Sequence, residues 1–98
     1  MRVLLVGHKD GDFEMMEQCL WMHFTARGVG TVCTRLVAGF DMAAANVARV
    51  LGVGVEFGAD GGCDYVLAWW DGSERDDTGR RLREFTRTGV DVFNLFRC

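Results

Sequence analysis

Side chains that could bind a small molecule follow three apolar stretches of this 98-residue chain. The first group, after the first stretch, is Gly7, His8, Lys9 and Asp10. The second group is Gly39 and Asp41, and the third is Asp71, Gly72, Ser73, Arg75 and Thr78. Glycines let backbone N–H groups approach a ligand, hydroxyls and carboxylates bond its polar groups, and Lys9 or Arg75 neutralises its charge. These residue types suit a polar small molecule that carries negative charge.

Other chemistries find less support in the sequence. The four cysteines form no C-x-x-C pair and the two histidines do not have metal-ligand spacing, so we expect reduced structural thiols in a cytoplasmic protein. A net charge of −3 argues against a nucleic-acid partner, which needs a basic surface. The first apolar run has only five residues, too few for a signal peptide, and no run is long enough to span a membrane.

The elements that must position these loops alternate between strand and helix patterns, which is typical of βαβ units. Five strands are predicted, at residues 2–6, 31–37, 53–57, 65–70 and 90–95. Three helices are predicted, at residues 13–27, 42–51 and 77–88, each followed by a glycine stop. Residues 58–64 are too few for a helical crossover, so we expect the third strand to pair loosely or to be missing.

The predicted fold class is α/β: a compact Rossmann-like three-layer sandwich of one domain, residues 1–98, with a mostly parallel sheet of four or five strands and three helices. The first and fourth strands are expected at its centre, because their residues are continuously apolar. A ligand crevice then lies beyond the carboxyl ends of the strands, between the loops that follow these two. Structural alternatives stay open: Asp41 could cap the second helix, Ser73 the third, and Asp71 could close a turn.

The first helix has a wider apolar arc than one sheet contact requires. Met15, Cys19 and Met22 form a second stripe beside the one expected to face the sheet, and Trp21 lies on the polar side. A large exposed aromatic residue often marks an interface. We therefore expect a homo-oligomer, most simply a dimer, through helix 13–27.

A family resemblance appears at residues 63–73, CDYVLAWWDGS, followed by Thr78 and a helix. This segment resembles the terminal half of YspA-like domains of the SLOG superfamily. Residues 3–10 are similar to the first strand and turn of that family, and residues 36–41 to its second strand and Gly-x-Asp element. The resemblance implies a Rossmann-like domain that binds or senses a nucleotide or nucleotide-derived ligand without catalysis, in bacterial or phage conflict systems.

The chain also departs from that family. It lacks the extra glycines before Gly39 and the longer loop with an Arg-Asn pair after the third strand, and it adds Asp76 and Asp77 near the expected phosphate. These carboxylates would repel a bare phosphate and, with Asp10, Asp12, Asp41 and Asp71, predict an acidic mouth. Such a mouth could favour ribose hydroxyls, a cationic group, or magnesium that bridges to a phosphate. One alternative is an enzyme acting on an N-glycosidic bond, similar to nucleoside deoxyribosyltransferases, although the first glutamate after Thr78 is Glu84. Another is a structural assembly protein without a ligand.

Overall fold

The structure is a computed structural model that describes residues 1–36, 39–58 and 62–97. Its strands are β1 (Arg2–Gly7), β2 (Thr31–Thr34), β3 (Gly54–Phe57), β4 (Tyr65–Trp69) and β5 (Val92–Asn94). Its helices are α1 (Phe13–Arg27), α2 (Phe40–Leu51) and α3 (Thr78–Arg87), and a 3-10 turn covers Leu95–Arg97. The predicted elements are thus all found, with ends shifted by up to three residues; Val37, the predicted end of the second strand, lies outside the described residues.

The five strands form one parallel sheet in the order β3-β2-β1-β4-β5. Strand β1 is central and pairs with β4 from Val3 opposite Tyr65 to Gly7 opposite Trp69. The chain runs from β1 to β2 on one side and returns to β4 on the other. The strand order therefore reverses between β1 and β4, and the predicted α/β fold class is confirmed.

Strand β3 pairs with β2 along its full length, from Gly54 opposite Thr31 to Phe57 opposite Thr34. The expectation of a loose or missing third strand was wrong. Three strand spacings separate β3 from β4, roughly 14 Å. Seven extended residues reach about 23 Å, so the segment 58–64 can cross the sheet without a helix.

Alternate residues of the central strands fill two cores. Val3 and Leu5 of β1 face α1 and α2, where the core contains Met16, Leu20, Phe24, Phe40, Ala43, Ala44, Val47 and Ala48. Leu4 and Val6 face the other side, where Leu82 of α3 packs on the sheet. Because both faces are covered at the centre of the sheet, residues 3–6 of β1 and all of β4 are buried and apolar, as expected of inner parallel strands.

The second stripe of α1 is divided between core and surface. Cys19 is buried, whereas Met15 and Met22 are 49% and 67% exposed. Met22 and Trp21 of α1, with Val50 of α2, line an open groove of about 460 Å³. The oligomer through α1 stays a prediction. Among residues 1–36, 39–58 and 62–97, no helix is long and apolar enough to cross a membrane.

The cysteines differ from the expectation of reduced thiols. Cys19 is disulfide-bonded, whereas Cys33 and Cys63 are free. The expectation therefore holds for only two of the three cysteines that lie in the described segments.

Phe40 should contribute strongly to stability, because its side chain is fully buried and stacks on Trp69 with 6.2 Å between ring centroids. We expect Phe40→Ala to lower the free energy of unfolding by about 4 kcal/mol, through lost burial and the cavity left behind. Phe57 on the edge strand is 65% exposed, so Phe57→Ala should cost less than about 1 kcal/mol. Urea denaturation of both variants measures the difference; equal losses would contradict this packing.

Candidate functional site

A small crevice lies beyond the carboxyl ends of β1 and β2, beside the start of α3. It is next to the point between β1 and β4 where the strand order reverses, the place where open parallel sheets bind their ligands. Its volume is about 90 Å³. The lining residues are Gly7, Lys9, Arg35, Asp76, Asp77, Thr78 and Arg81. Gly7, Lys9 and Thr78 belong to the two predicted walls, which the fold therefore brings together. Arg35 and Arg81 were not predicted.

His8 does not line the crevice, but its buried side chain connects the two walls. Its side chain is fully buried, and its backbone N–H donates to the Trp69 carbonyl at 3.0 Å, which extends the pairing of β1 with β4 by one residue. The ring Nδ1 lies 2.9 Å from Asp76 Oδ2 and Nε2 lies 2.9 Å from Asp71 Oδ1. Both ring nitrogens are thus engaged with carboxylates of the loop after β4. His8 was predicted as a ligand contact, but its ring is used to hold that loop.

Two protonation states of His8 fit this geometry. A ring protonated on both nitrogens donates to Asp76 and to Asp71. A neutral ring with its proton on Nδ1 donates to Asp76 and accepts the Asp71 backbone N–H, which lies 3.1 Å from Nε2. Both states keep the contact with Asp76, so Asp76 is the constant partner of the ring.

The two carboxylates are held in the ionised form. Burial opposes ionisation of Asp76, but hydrogen bonds from His8 and the Thr78 backbone N–H outweigh it and lower the pKa of Asp76 to about 2. At Asp71 the nearby Ser73 hydroxyl, the Ser73 backbone N–H and then His8 hold the pKa well below its usual range. These aspartates therefore stabilise the loop as anions.

Thr78 and Ser73 have different surroundings. Thr78 is buried at the first position of α3 and lines the crevice. Ser73 lies apart from the lining, and its hydroxyl oxygen is buried without a well-formed hydrogen bond among the described residues. It does not cap α3, because that helix begins five residues later, after Asp77. The alternative of Ser73 as a helix cap was wrong.

The two predicted cations, Arg75 and Lys9, have different surroundings. Arg75 lies between two carboxylates, with Nη2 at 3.3 Å from Asp10 Oδ1 and 3.7 Å from Asp71 Oδ2. It neutralises acidic residues and does not line the crevice. Lys9 lines the crevice and has no ion pair within the described segments. The same holds for Arg35, which follows β2.

The glycines serve backbone packing. A Cβ on Gly7 would lie 2.5 Å from the Phe40 ring, and one on Gly39 would lie 2.3 Å from the Lys9 carbonyl oxygen. Gly39 also has a φ of 80°. The loop after β1 therefore rests against the start of α2, and the Phe40 N–H donates to the His8 carbonyl at 3.2 Å. Gly72 also has a positive φ, of 92°, with open space beside its Cα.

Asp41 does not lie in the crevice. It is buried in the first turn of α2, and its Oδ2 accepts from the Thr34 hydroxyl at 2.8 Å and from the Arg35 backbone N–H at 3.2 Å. The N-cap of α2 is Gly39, so the suggestion that Asp41 caps this helix was wrong. Asp41 instead fixes the end of β2, and thereby the position from which Arg35 extends.

The part of the chain that the structure describes contains no set of side chains arranged to bind magnesium. There, no three side chains of histidine, cysteine, aspartate or glutamate are grouped to hold a metal ion. The carboxylates nearest the crevice are engaged elsewhere: Asp76 with His8, and Asp77 with Arg80 at 3.5 Å. The idea of a magnesium bridge therefore gains no support from the site.

Comparison of the chain with protein-family models, curated proteins and solved structures finds no match. The resemblance to YspA-like domains consequently rests on the quoted sequence segments alone.

The Asp76 carboxylate should make the free energy of unfolding depend on pH below about 4. Its pKa of about 2 in the folded chain is below the roughly 3.9 of an unfolded aspartate, so it stabilises the fold above pH 4. That contribution is lost as pH falls from about 4 to about 2. We expect Asp76→Asn to be less stable at pH 7 and to lose less stability over this range than the wild type.

The matched control is Asp77→Asn. This substitution removes the same charge, but from a side chain that is 76% exposed. Thermal unfolding at pH 7, 4, 3 and 2 compares the three proteins. If Asp76→Asn and the wild type lose stability in parallel, the Asp76 carboxylate does not carry the acid sensitivity.

Proposed function

We propose that this chain binds, without catalysis, a nucleotide or nucleotide-derived ligand whose phosphate occupies the crevice beside the carboxyl ends of β1 and β2 and the start of α3. The observation that carries the proposal is the pair of cations Lys9 and Arg35, which line the crevice without an ion pair among the described residues. A cation left without a carboxylate partner at a strand end is available to neutralise an anionic group.

The charge of the lining favours an anion. It contains three cationic side chains, Lys9, Arg35 and Arg81, against two carboxylates, in a chain whose net charge is −3. Asp77 is paired with Arg80, and both Asp76 oxygens lie against His8 Nδ1, which donates to them in either protonation state of the ring. The first turn of α3 also borders the crevice and adds the positive end of its dipole.

The size of the crevice defines which part of the ligand enters. About 90 Å³ corresponds to roughly three water molecules at about 30 Å³ each. One phosphate group fits this space, whereas a base and a sugar must lie outside it. We expect the exposed Lys9 and Asp10 loop to meet the sugar. The resemblance to YspA-like domains favours a nucleotide over other phosphate-containing ligands. The expected cytoplasmic location agrees with a nucleotide ligand.

The alternative of an N-glycosidic-bond enzyme needs a carboxylate free to attack the sugar. Glu84 is paired with Arg80, with 3.0 Å between Oε1 and Nη1, and is absent from the crevice lining. Asp76 has both carboxylate oxygens within 3.0 Å of His8 Nδ1. Because these carboxylates already have partners, we favour binding over catalysis.

Removal of either unpaired cation should weaken nucleotide binding. Titration calorimetry with adenosine and guanosine mono-, di- and triphosphates and with pyrophosphate identifies the preferred probe. For that probe we expect Lys9→Ala and Arg35→Ala each to raise Kd by roughly 10- to 100-fold, the usual effect of losing a charged hydrogen bond. Arg49→Ala is the control, since Arg49 on α2 bonds Asn46 and is absent from the crevice lining. Equal affinity in all four proteins would refute the crevice as the binding site.

The expected dimer through α1 has its own test. Met22 lies in the groove between α1 and α2, so Met22→Glu would bury a charge in such an interface and should give a monomer. Met42→Glu is the control, because Met42 is 40% exposed but does not line the groove. Sedimentation at tens of micromolar compares both with the wild type. A wild-type monomer would end the dimer prediction.

A further inference from the structure

Cys33 and Cys63 place their sulfur atoms side by side on the face of the sheet that α3 covers. The two Sγ atoms are 3.5 Å apart. Cys33 lies in β2 and is fully buried, whereas Cys63 lies in the connection before β4 and is partly exposed. Distant parts of the sequence, 30 residues apart, thus bring two free thiols into contact.

The remaining step to a disulfide is short. An S–S bond is about 2.05 Å long, so the sulfurs must approach by ~1.5 Å. Cys33 is fixed by its position in an inner strand, but Cys63 follows Gly62, which is exposed and has a φ of 77°. Small rotations of the Cys63 side chain and its connection can supply the movement.

Charged groups lie on both sides of the pair. The Arg2 guanidinium donates to Cys33 Sγ at 3.5 Å. Glu56 pairs with Arg2 and its Oε2 lies 3.9 Å from Cys33 Sγ, while Asp64 adjoins Cys63. Burial, together with the hydrogen bond to Cys33, raises the pKa of the Cys63 thiol to about 11.

We propose that Cys33 and Cys63 form a reversible oxidation site, at which a low-molecular-weight disulfide converts the two thiols into an intramolecular disulfide. The partly exposed Cys63 thiolate attacks one sulfur of the reagent, forms a mixed disulfide and releases one thiolate. The Cys33 thiolate then attacks the Cys63 sulfur and releases the second. The protein loses two electrons and two protons, and the reagent is reduced to two thiols. Cys19 shows that this chain already accommodates a disulfide.

Neither cysteine lines the nucleotide crevice, although Cys33 lies two residues before Arg35, which does. The disulfide would link Cys63, before β4, to Cys33 in β2 and close a loop of about 30 residues. A cross-link of that length restricts the unfolded chain and should raise Tm by roughly 10 °C.

The test incubates the native protein with oxidised glutathione from pH 7 to pH 10, then blocks remaining thiols with N-ethylmaleimide after unfolding. Trypsin releases Cys33 in peptide 28–35 and Cys63 in peptide 50–75, so the product is a single linked mass. We expect this link, loss of both free thiols, and a rate that rises about tenfold per pH unit, because the thiolate fraction of Cys63 rises with it.

The variants Cys63→Ser and Cys33→Ser distinguish formation of this disulfide from nonspecific oxidation of thiols. Neither variant can form the link, and Cys63→Ser should show no rise in Tm after the same treatment. Two results would overturn the proposal: a stable glutathione adduct on Cys63 with Cys33 still open to N-ethylmaleimide, or no reaction of the native protein while the urea-unfolded protein reacts.

Discussion

The contact on which the crevice depends is that of the buried His8 ring with two carboxylates of one loop. A fully buried imidazole loses its hydration, and this cost is offset only if both nitrogens find partners. Asp71 and Asp76 provide them, and each also accepts a backbone N–H two residues later, from Ser73 and Thr78. The ring therefore fixes the path of the loop, the start of α3 and the distance between the two walls.

Most of the architecture could be predicted from local patterns. Apolar strand patterns and glycine stops after the helices located the five strands and three helices, because these signals depend on nearby residues. The 3-10 turn Leu95–Arg97 was missed, because Leu95 was assigned to the fifth strand. The pairing of β3 could not be predicted in this way. It depends on whether residues 58–64 can cross the sheet, which is a distance in three dimensions and leaves no periodic pattern in the sequence.

The loops that border the crevice could be predicted better than the roles of their residues. The rule that ligands meet the carboxyl ends of strands selected the loop after β1 and the one before α3. Arg35 was missed because the second strand was predicted to run to residue 37, whereas β2 ends at Thr34. Arg81 could have been found as the residue one turn after Thr78 on the crevice side of α3. The role of His8 could not be predicted, because its partners Asp71 and Asp76 lie 63 and 68 positions away in the sequence. The role of Asp41 was missed because its partners Thr34 and Arg35 were predicted to lie inside the second strand.

The pairing of acidic residues explains how a loop rich in aspartate can border a site suited to anions. A count of charges along residues 71–78 predicts repulsion of phosphate, because four carboxylates face one arginine. In the fold, Asp71 and Asp76 direct their oxygens towards His8, Arg75 lies beside Asp71, and Glu74 bonds Arg83. The potential inside the crevice is then dominated by the groups that lack such partners. The distribution of ion pairs, more than the net charge of the loop, determines which ligand the crevice can accept.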